Sequence, residues 1–502
     1  MKKFLTFITG LLCLTATAQN IDDVLRYSTE NLQGTARFQG MAGAFGALGG
    51  DMSALNINPA GSSVFANSLF TITGANYHQN NESTYFGSLG SEVRNSVDIN
   101  QLGGVFVFNS RNSNSPWQKI ALAINYDMAR NFDNEVYTFG NSNQGVDNYF
   151  LNFANGVPFG PLQIQDGEFI EEAYLDIGAN LGFREQQAFL GYYGGIIDPV
   201  DESDNNNTAY VSNAQYNTVD QEYFKRTNGY NSKLTMNFSG QYQQNLFIGA
   251  SLNFHTVFYD QYTEFTETGY DASSEIQFVN FDNYLRTEGS GFSFSLGAIA
   301  LLNENVRLGG SYQSPTWYRL LDDTSQRINS DLADSEIGFI DFNIVNLFDE
   351  YTIKTPSKLT GSLAIVFGPQ GLLSFDYGHQ DMSQAELRPL SDPSFSDENS
   401  FIAAQLGTVN TYRIGGEYRI DNVSLRGGYR FESSPYVDGV TIGDLEAVSF
   451  GLGFNFGGSR LDLAFSRSEQ NTQAQLFPTG FPAPSLVNNV NTNILLGYTL
   501  NL

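Results

Sequence analysis

The chain has 502 residues, with 53 Asp and Glu against 25 Lys and Arg, and its net charge of −28 excludes nucleic acid as a partner. Phe (41), Tyr (27) and Gly (50) are abundant and Trp (2) is scarce. Beyond the first twenty residues no apolar run reaches the roughly 18–20 residues that a membrane helix needs. That excludes a helical membrane protein and leaves a barrel open, because barrel strands alternate.

Residues 1–18 read as a secretory signal peptide. Lys2 and Lys3 form the positive start, Phe4 to Leu14 the apolar core, and Ala16-Thr17-Ala18 the cleavage site before Gln19. Loss of the two lysines takes the charge from −28 to −30. The single cysteine, Cys13, lies in the signal core, and Leu12 before it does not suit a lipidation site. The exported chain then has no disulfide framework, thiol nucleophile or cysteine metal site.

Residues 19–64 read as a small N-terminal unit. Ile21, Val24 and Leu25 share one helical face, and Asp22 and Asp23 sit in the first turn, where the helix dipole favours acids. Gly40 to Ser62 is rich in small residues, fit for close backbone approach in a crowded interior. Asp51 can cap a short helix running to Ile57. Pro59 takes Asn58 out of helical geometry and ends that helix, and Gly61 can turn the chain into the first strand. On these residues alone, Asn58-Pro59-Ala60 is a helix stop and turn.

From residue 65 onward the pattern is period-2 alternation, so 65–502 is read as an all-β wall. Leu234, Met236 and Phe238 oppose Lys233, Thr235, Asn237 and Ser239; Val448, Phe450, Leu452 and Phe454 oppose Ser449, Gly451, Gly453 and Asn455. Fourteen strands are expected, near 67–78, 98–109, 117–127, 230–242, 244–259, 286–302, 305–318, 351–366, 370–380, 408–420, 422–431, 445–457, 459–468 and 490–502. Many run to about ten residues, the length a tilted strand needs to cross a bilayer.

Short and long connections alternate. Ser110 to Pro116, Gln243, Asn303-Glu304, Gly368 to Gln370, Asp421 and Gly457-Gly458 are short. The stretch after the first strand and 128–229, 260–285, 319–350, 381–407, 432–444 and 469–489 are long and are expected as loops. That asymmetry is the habit of an outer-membrane barrel, with short periplasmic turns and long extracellular loops. In lipid a closed barrel is the only all-strand solution, because every backbone polar group must be paired. The fold class expected is therefore an all-β, 14-stranded antiparallel transmembrane β-barrel. Tyr126, Tyr377, Tyr418 and Tyr429 near strand ends suit an interfacial girdle.

The inward face carries Arg413, Glu417, Arg419, Arg426, Arg430 and Glu432 on neighbouring strands, read as a structural charge network in the lumen. The acidic runs Asp201-Glu202-Ser203-Asp204 and Asp331 to Glu336 lack the spacing of a calcium loop and read as solvated loops. His78, His255 and His379 are too scattered for a metal cluster. No nucleophile elbow or phosphate loop occurs. No catalytic residue, metal site or cofactor is expected.

Three stretches of the second half carry a family likeness: TPSKLTGSLAIVFGPQGLLSFDYGHQDM (Thr355 to Met382), YRIGGEYRIDNVSLRGGYRFESSPYVDG (Tyr412 to Gly439) and VSFGLGFNFGGSRLDLAFSRSE (Val448 to Glu469). With LGGSYQSPTWYRL (Leu308 to Leu320) and the N-terminal Asn58-Pro59-Ala60-Gly61, they resemble the FadL-type outer-membrane transporters of long-chain fatty acids and aromatic hydrocarbons. The resemblance implies a lumen closed by an N-terminal hatch, with Asn58, Pro59, Ala60 and Gly61 as hatch and gating residues. It implies passive uptake of a hydrophobic small molecule and release through a side opening at a kink in the third strand. Here Asn125 to Asn134 breaks the alternation in that region. The long polar connection 128–229 departs from the family pattern.

The expected partners are a hydrophobic ligand and outer-membrane lipids, with the chain acting as a monomer. Two other functions fit a barrel: a general porin for polar solutes, and a surface adhesion or structural protein working through its acidic loops.

Overall fold

A computed structural model describes residues 19–29, 31–112, 115–481 and 483–502; the signal peptide expected over 1–18 lies outside the described residues. Fourteen antiparallel strands close into a barrel. In chain order they are β1 (Leu69–Tyr85), β2 (Ser88–Asn109), β3 (Trp117–Asn131, resuming as Asn134–Ser142), β4 (Val219–Tyr242) and β5 (Leu246–Thr268). Then come β6 (Phe278–Leu301), β7 (Val306–Gln313, resuming as Trp317–Ser330), β8 (Tyr351–Lys354, resuming as Lys358–Phe367) and β9 (Gly371–Asp381, with Glu386–Arg388). The last are β10 (Thr408–Ile420), β11 (Val423–Glu432), β12 (Ile442–Asn455), β13 (Ser459–Ala474) and β14 (Ser485–Asn501). Each pairs with its chain neighbours, and β1 pairs with β14 from Leu69↔Asn501 to Thr84↔Leu486, which closes the wall.

The faces are inverted relative to a soluble protein. Met236, Phe238, Leu252, Phe450 and Leu452 are exposed on the outside, while Thr235, Asn237, Ser239, Ser251 and Asn253 are buried inside. An apolar outer band around a closed ladder is what a bilayer requires, since lipid offers no partner to a backbone amide. The strands outrun that band: along β5 the outward residues change from Ile248, Leu252 and Phe254 to Asp260, Tyr262 and Glu264, so its last turns of sequence stand clear of lipid. The two ends of the barrel differ. One has only short turns; the other carries the long connections.

Three expectations are corrected. The long loop after the first strand does not exist: β1 and β2 run on to a two-residue turn at Phe86-Gly87, both with positive φ (48° and 84°), as a hairpin twist demands. Residues 79–97 hid this because both of their faces are largely polar. The strands expected across 305–318 and 351–366 are each interrupted, at Ser314-Pro315-Thr316 and Thr355-Pro356-Ser357, where proline has no N–H for the ladder. Thr316 and Thr355 bond each other across the break instead.

The third correction concerns 128–229. Its ends extend β3 and β4, and its middle folds into a cap of three helices, α3 (Asp147–Ala154), α4 (Ile170–Asn180) and α5 (Phe183–Tyr193), with a small hairpin. Phe150, Phe153, Tyr174, Phe189 and Leu190 form its core together with Phe265 and Phe281 of the wall and Phe477 and Phe481 of the 475–484 loop. The Tyr149 and Phe477 rings lie 5.1 Å apart. The cap thus sits across the end of the barrel that carries the long connections.

Candidate functional site

The N-terminal segment lies inside the barrel. Its first helix, α1 (Ile21–Ser28), is capped by the Asn20 side chain, which accepts from the Asp22 and Asp23 amides. Val24, Leu25 and Tyr27 are buried against Val257 and Tyr259 of β5, Tyr318 and Leu320 of β7, and Ile402 of α6 (Pro393–Gln405). The Ile21 amide donates to Glu398 on α6 (2.8 Å), and the Arg26 guanidinium lies over the Tyr259 ring at 4.1 Å. An apolar helix face therefore fills an apolar chamber in the cap-side half of the lumen.

The middle of the segment is tied to wall charges. Arg37, on the short helix α2 (Ala36–Gln39), bonds Glu417 of β10, which also accepts from Arg426 of β11 at 2.6 Å; Arg426 continues to Asp462 of β13 at 2.8 Å. The charge network expected from sequence is thus present, and its carboxylate Glu417 also holds the segment. Asp376 of β9 accepts from the Phe45 and Gly46 amides, both at 3.0 Å. The small-residue run lets backbone meet backbone here: a Cβ on wall residue Gly309 would lie 2.3 Å from the Gly46 carbonyl oxygen.

Asn58, Pro59, Ala60 and Gly61 come together at the wall. Asn58 caps a 3-10 turn (Pro59–Val64): its Oδ1 accepts from the Ala60 amide. Its Nδ2 donates to Gly46 O (2.8 Å) within the segment and to Ala298 O (2.9 Å) on β6. The Pro59 carbonyl accepts from Asn237 of β4 at 2.9 Å, and the Gly61 carbonyl accepts from the Gly50 amide. One asparagine so joins two parts of the segment to the wall. Asp51 caps the preceding 3-10 turn (Met52–Asn56), in the place expected of it.

Beside this plug the wall has a seam. The β2–β3 ladder runs from Asn109↔Lys119 to Gln101↔Asp127 and stops there. Beyond it β3 bends inward at Phe132-Asp133, and its second half packs behind the β1–β2 hairpin, where Asn81 and Ser83 donate to the Glu135 and Tyr137 carbonyls. Residues 31–34 of the segment occupy the seam. The Asn31 amide donates to Ala129 O (3.2 Å), and the Gly34 amide donates to Asn100 Oδ1 (2.8 Å). Asn100 Nδ2 in turn donates to Gln33 Oε1 (2.9 Å). Asn100 can turn inward because it is the extra residue of a bulge opposite Thr73 and Gly74. The break expected at 125–134 falls on this seam.

Sequence reasoning missed Asn100, Asn237 and Asp376 as anchors of the segment. The available signal was a carboxylate or amide at an inward position facing a segment whose amides need acceptors; their partners lie far away in sequence. His255 is buried on the inward face and shares a hydrogen bond with the Tyr318 hydroxyl. Among the described residues no cluster of His, Cys, Asp or Glu could hold a metal.

The cap is fastened by a buried carboxylate beyond the apolar band. Glu267 of β5 accepts from the Val146 amide just before α3 (3.0 Å) and from Gln221 of β4 (2.7 Å), and Tyr270 also donates to it. Burial pushes the Glu267 carboxyl up to about 7, outweighing these donors.

No family model matches the sequence, and no curated protein does. Solved structures match its fold. A Pseudomonas aeruginosa FadL homologue is similar with a TM-score of 0.56 at 12% identity, covering 94% of this chain and 99% of that one. The Pseudomonas putida toluene transporter TodX is similar with a TM-score of 0.51 at 13% identity, covering 94% and 99%. At such identities the likeness is one of fold: a fourteen-stranded barrel of the FadL type.

Proposed function

We propose that this chain is an outer-membrane channel for passive uptake of hydrophobic small molecules, long-chain fatty acids or hydrocarbons, with residues 19–64 as its hatch. One observation carries the reading: the lumen is filled by a segment that also occupies a seam in the wall. Such an arrangement blocks a straight aqueous path while leaving a lateral one that needs little movement to open. The cap end faces the exterior and the short-turn end the periplasm. An apolar ligand enters under the cap, displaces α1 from its chamber and leaves sideways between β2 and β3 into lipid. Asn58 to Gly61 hold the hatch to β4 and β6 while this happens. The FadL-type fold and the toluene transporter among its neighbours support the reading. A general porin is opposed by the filled lumen.

The test is uptake by proteoliposomes. The intact chain should admit a labelled hydrophobic compound, exclude sugars of similar mass and show only small, flickering bilayer currents. Deletion of 19–64 should produce large steady currents. Sugar uptake by the intact chain would overturn the reading in favour of the porin.

A further inference from the structure

We propose that a groove at the cap end, between α3 and the 475–484 loop, is a binding site for a neutral oligosaccharide. The proposal goes beyond uptake and does not depend on what passes through the lumen.

The groove has a volume of about 400 Å³, within the range of small-ligand sites. One side carries Gln144, Asn148 and Asn152, the other Gln475 and Thr479, and the buried Phe481 also borders it. Among the described residues that line it none is charged, in a chain with 53 Asp and Glu. An ionic ligand would give up water there and meet no counter-charge, so the lining suits a neutral one.

The amides are of two kinds. Asn152 Nδ2 donates to Asn148 O (2.8 Å), and Asn148 Nδ2 donates to the Tyr216 hydroxyl (3.1 Å). Each asparagine is held by its nitrogen, with its side-chain oxygen left to accept. The Gln144 and Gln475 side chains and the Thr479 hydroxyl make no hydrogen bond within the protein. A sugar hydroxyl both donates and accepts, and a side-chain amide offers both functions without charge, so the two satisfy one another. A peptide is served less well: neither side of the groove is a strand, and its backbone would find no ladder edge.

The walls are set before any ligand arrives. Gly480 has a φ of +81°, and a Cβ there would lie 2.5 Å from the Tyr149 amide nitrogen, so loop backbone rests directly on α3. Phe477 and Phe481, their rings 5.1 Å apart, anchor the same loop in the cap core. A groove fixed on both sides loses little freedom when it is filled. It stands on the cap, at the end read above as facing the exterior, where the sugar chains of lipids and of soluble polymers are met.

The experiment titrates the full-length protein in detergent, by calorimetry, with malto-, cello-, manno- and chito-oligosaccharides and with an oligosaccharide of hyaluronan as the anionic control. At least one neutral oligosaccharide should bind saturably with a Kd below about 1 mM, and more tightly than the control. Gln144→Ala combined with Gln475→Ala should weaken that binding about tenfold, with folding checked by heat-modifiable gel mobility. Lipopolysaccharide, and the polysaccharide freed from its lipid, are titrated in parallel. Binding of lipopolysaccharide that the double variant loses supports the site and places its glycan in the outer leaflet. Binding of the soluble oligosaccharides alone, lost in the same variant, supports it with a glycan from outside the membrane. The proposal is overturned if none of these saccharides binds below about 1 mM. It is also overturned if the anionic control binds as tightly as the neutral ones, or if the double variant binds as the parent does.

Discussion

Arg37 of the hatch and Glu417 of β10 are 380 residues apart in sequence and form a buried ion pair, Nε to Oε2 at 2.9 Å. Glu417 also receives Arg419 and Arg426, so the two partners are unequal. Arg37→Gln leaves Glu417 with two cations and should cost about 1–2 kcal/mol, mostly as a looser hatch. Glu417→Gln removes the carboxylate charge shared by the buried Arg37 and Arg426, of which only Arg426 keeps another acid, Asp462, and should cost about 3–5 kcal/mol. Heat-modifiable gel mobility should rank the variants in that order, and bilayer recordings should show more leak in both.

Asn58→Ala removes the bonds to Gly46 O and Ala298 O together with the cap on the Ala60 amide. At about 1 kcal/mol each, these losses fall on the hatch and not on the strand ladder. Uptake or leak should change several-fold while the barrel melts within a few degrees of the parent. Unchanged transport with a lowered barrel melting temperature would mean that Asn58 serves only folding.

Gly309→Ala should act from the wall side. The new methyl meets the Gly46 carbonyl at 2.3 Å, where backbone must give way, and β7 itself tolerates alanine. Far-ultraviolet circular dichroism should be unchanged, while protease added from the short-turn side should cut the hatch faster.

The seam can be locked. Asn131 Nδ2 of β3 lies 3.3 Å from Ser96 Oγ of β2, across the gap. Ser96→Cys combined with Asn131→Cys, joined by a short thiol crosslinker, should reduce hydrophobic uptake at least tenfold, whereas either single variant should not. Full uptake after complete crosslinking would place the exit elsewhere.

The cap should respond to pH. Glu267 has a folded pKa of about 7 against an ordinary value of 4.5. Between those values the folded protein keeps a proton that the unfolded chain has lost, so stability is highest below pH 4.5 and falls as pH rises through 7. The loss is on the order of 3 kcal/mol at most, and it falls on the contact between Val146 and β5. Hydrogen exchange across 143–218 should be faster at pH 8 than at pH 5.5. Glu267→Gln should flatten that difference.

The bilayer-facing part of the fold was legible because lipid writes a two-residue period into the sequence: Leu234, Met236 and Phe238 could only share an outer face. Outside lipid that constraint lapses. Gln79, Asn80 and Asn81 meet water or polar neighbours on either side, and a real hairpin reads as a loop. The cap was missed for another reason. Tyr149, Phe150 and Phe153 carry helical spacing, but α3 is eight residues long, too short for the period to stand out, and its core is completed by Phe477 far along the chain. Of the site, the Asn58 turn could be read locally. Its bond to Ala298 O, and the grip of Asp376 and Asn100 on the hatch, depend on which strands face which and are written nowhere locally.

Closure of β1 on β14 joins stretches about 400 residues apart, so the last rung of the wall forms between the ends of the strand order. The hatch runs straight into β1 and is bonded to β2, β3, β4, β6, β9 and β10. A finished ring would have to be threaded to receive it. A wall that closes last, around a segment already in place, would use that segment as a mandrel, its bore matched to the packing of residues 19–64.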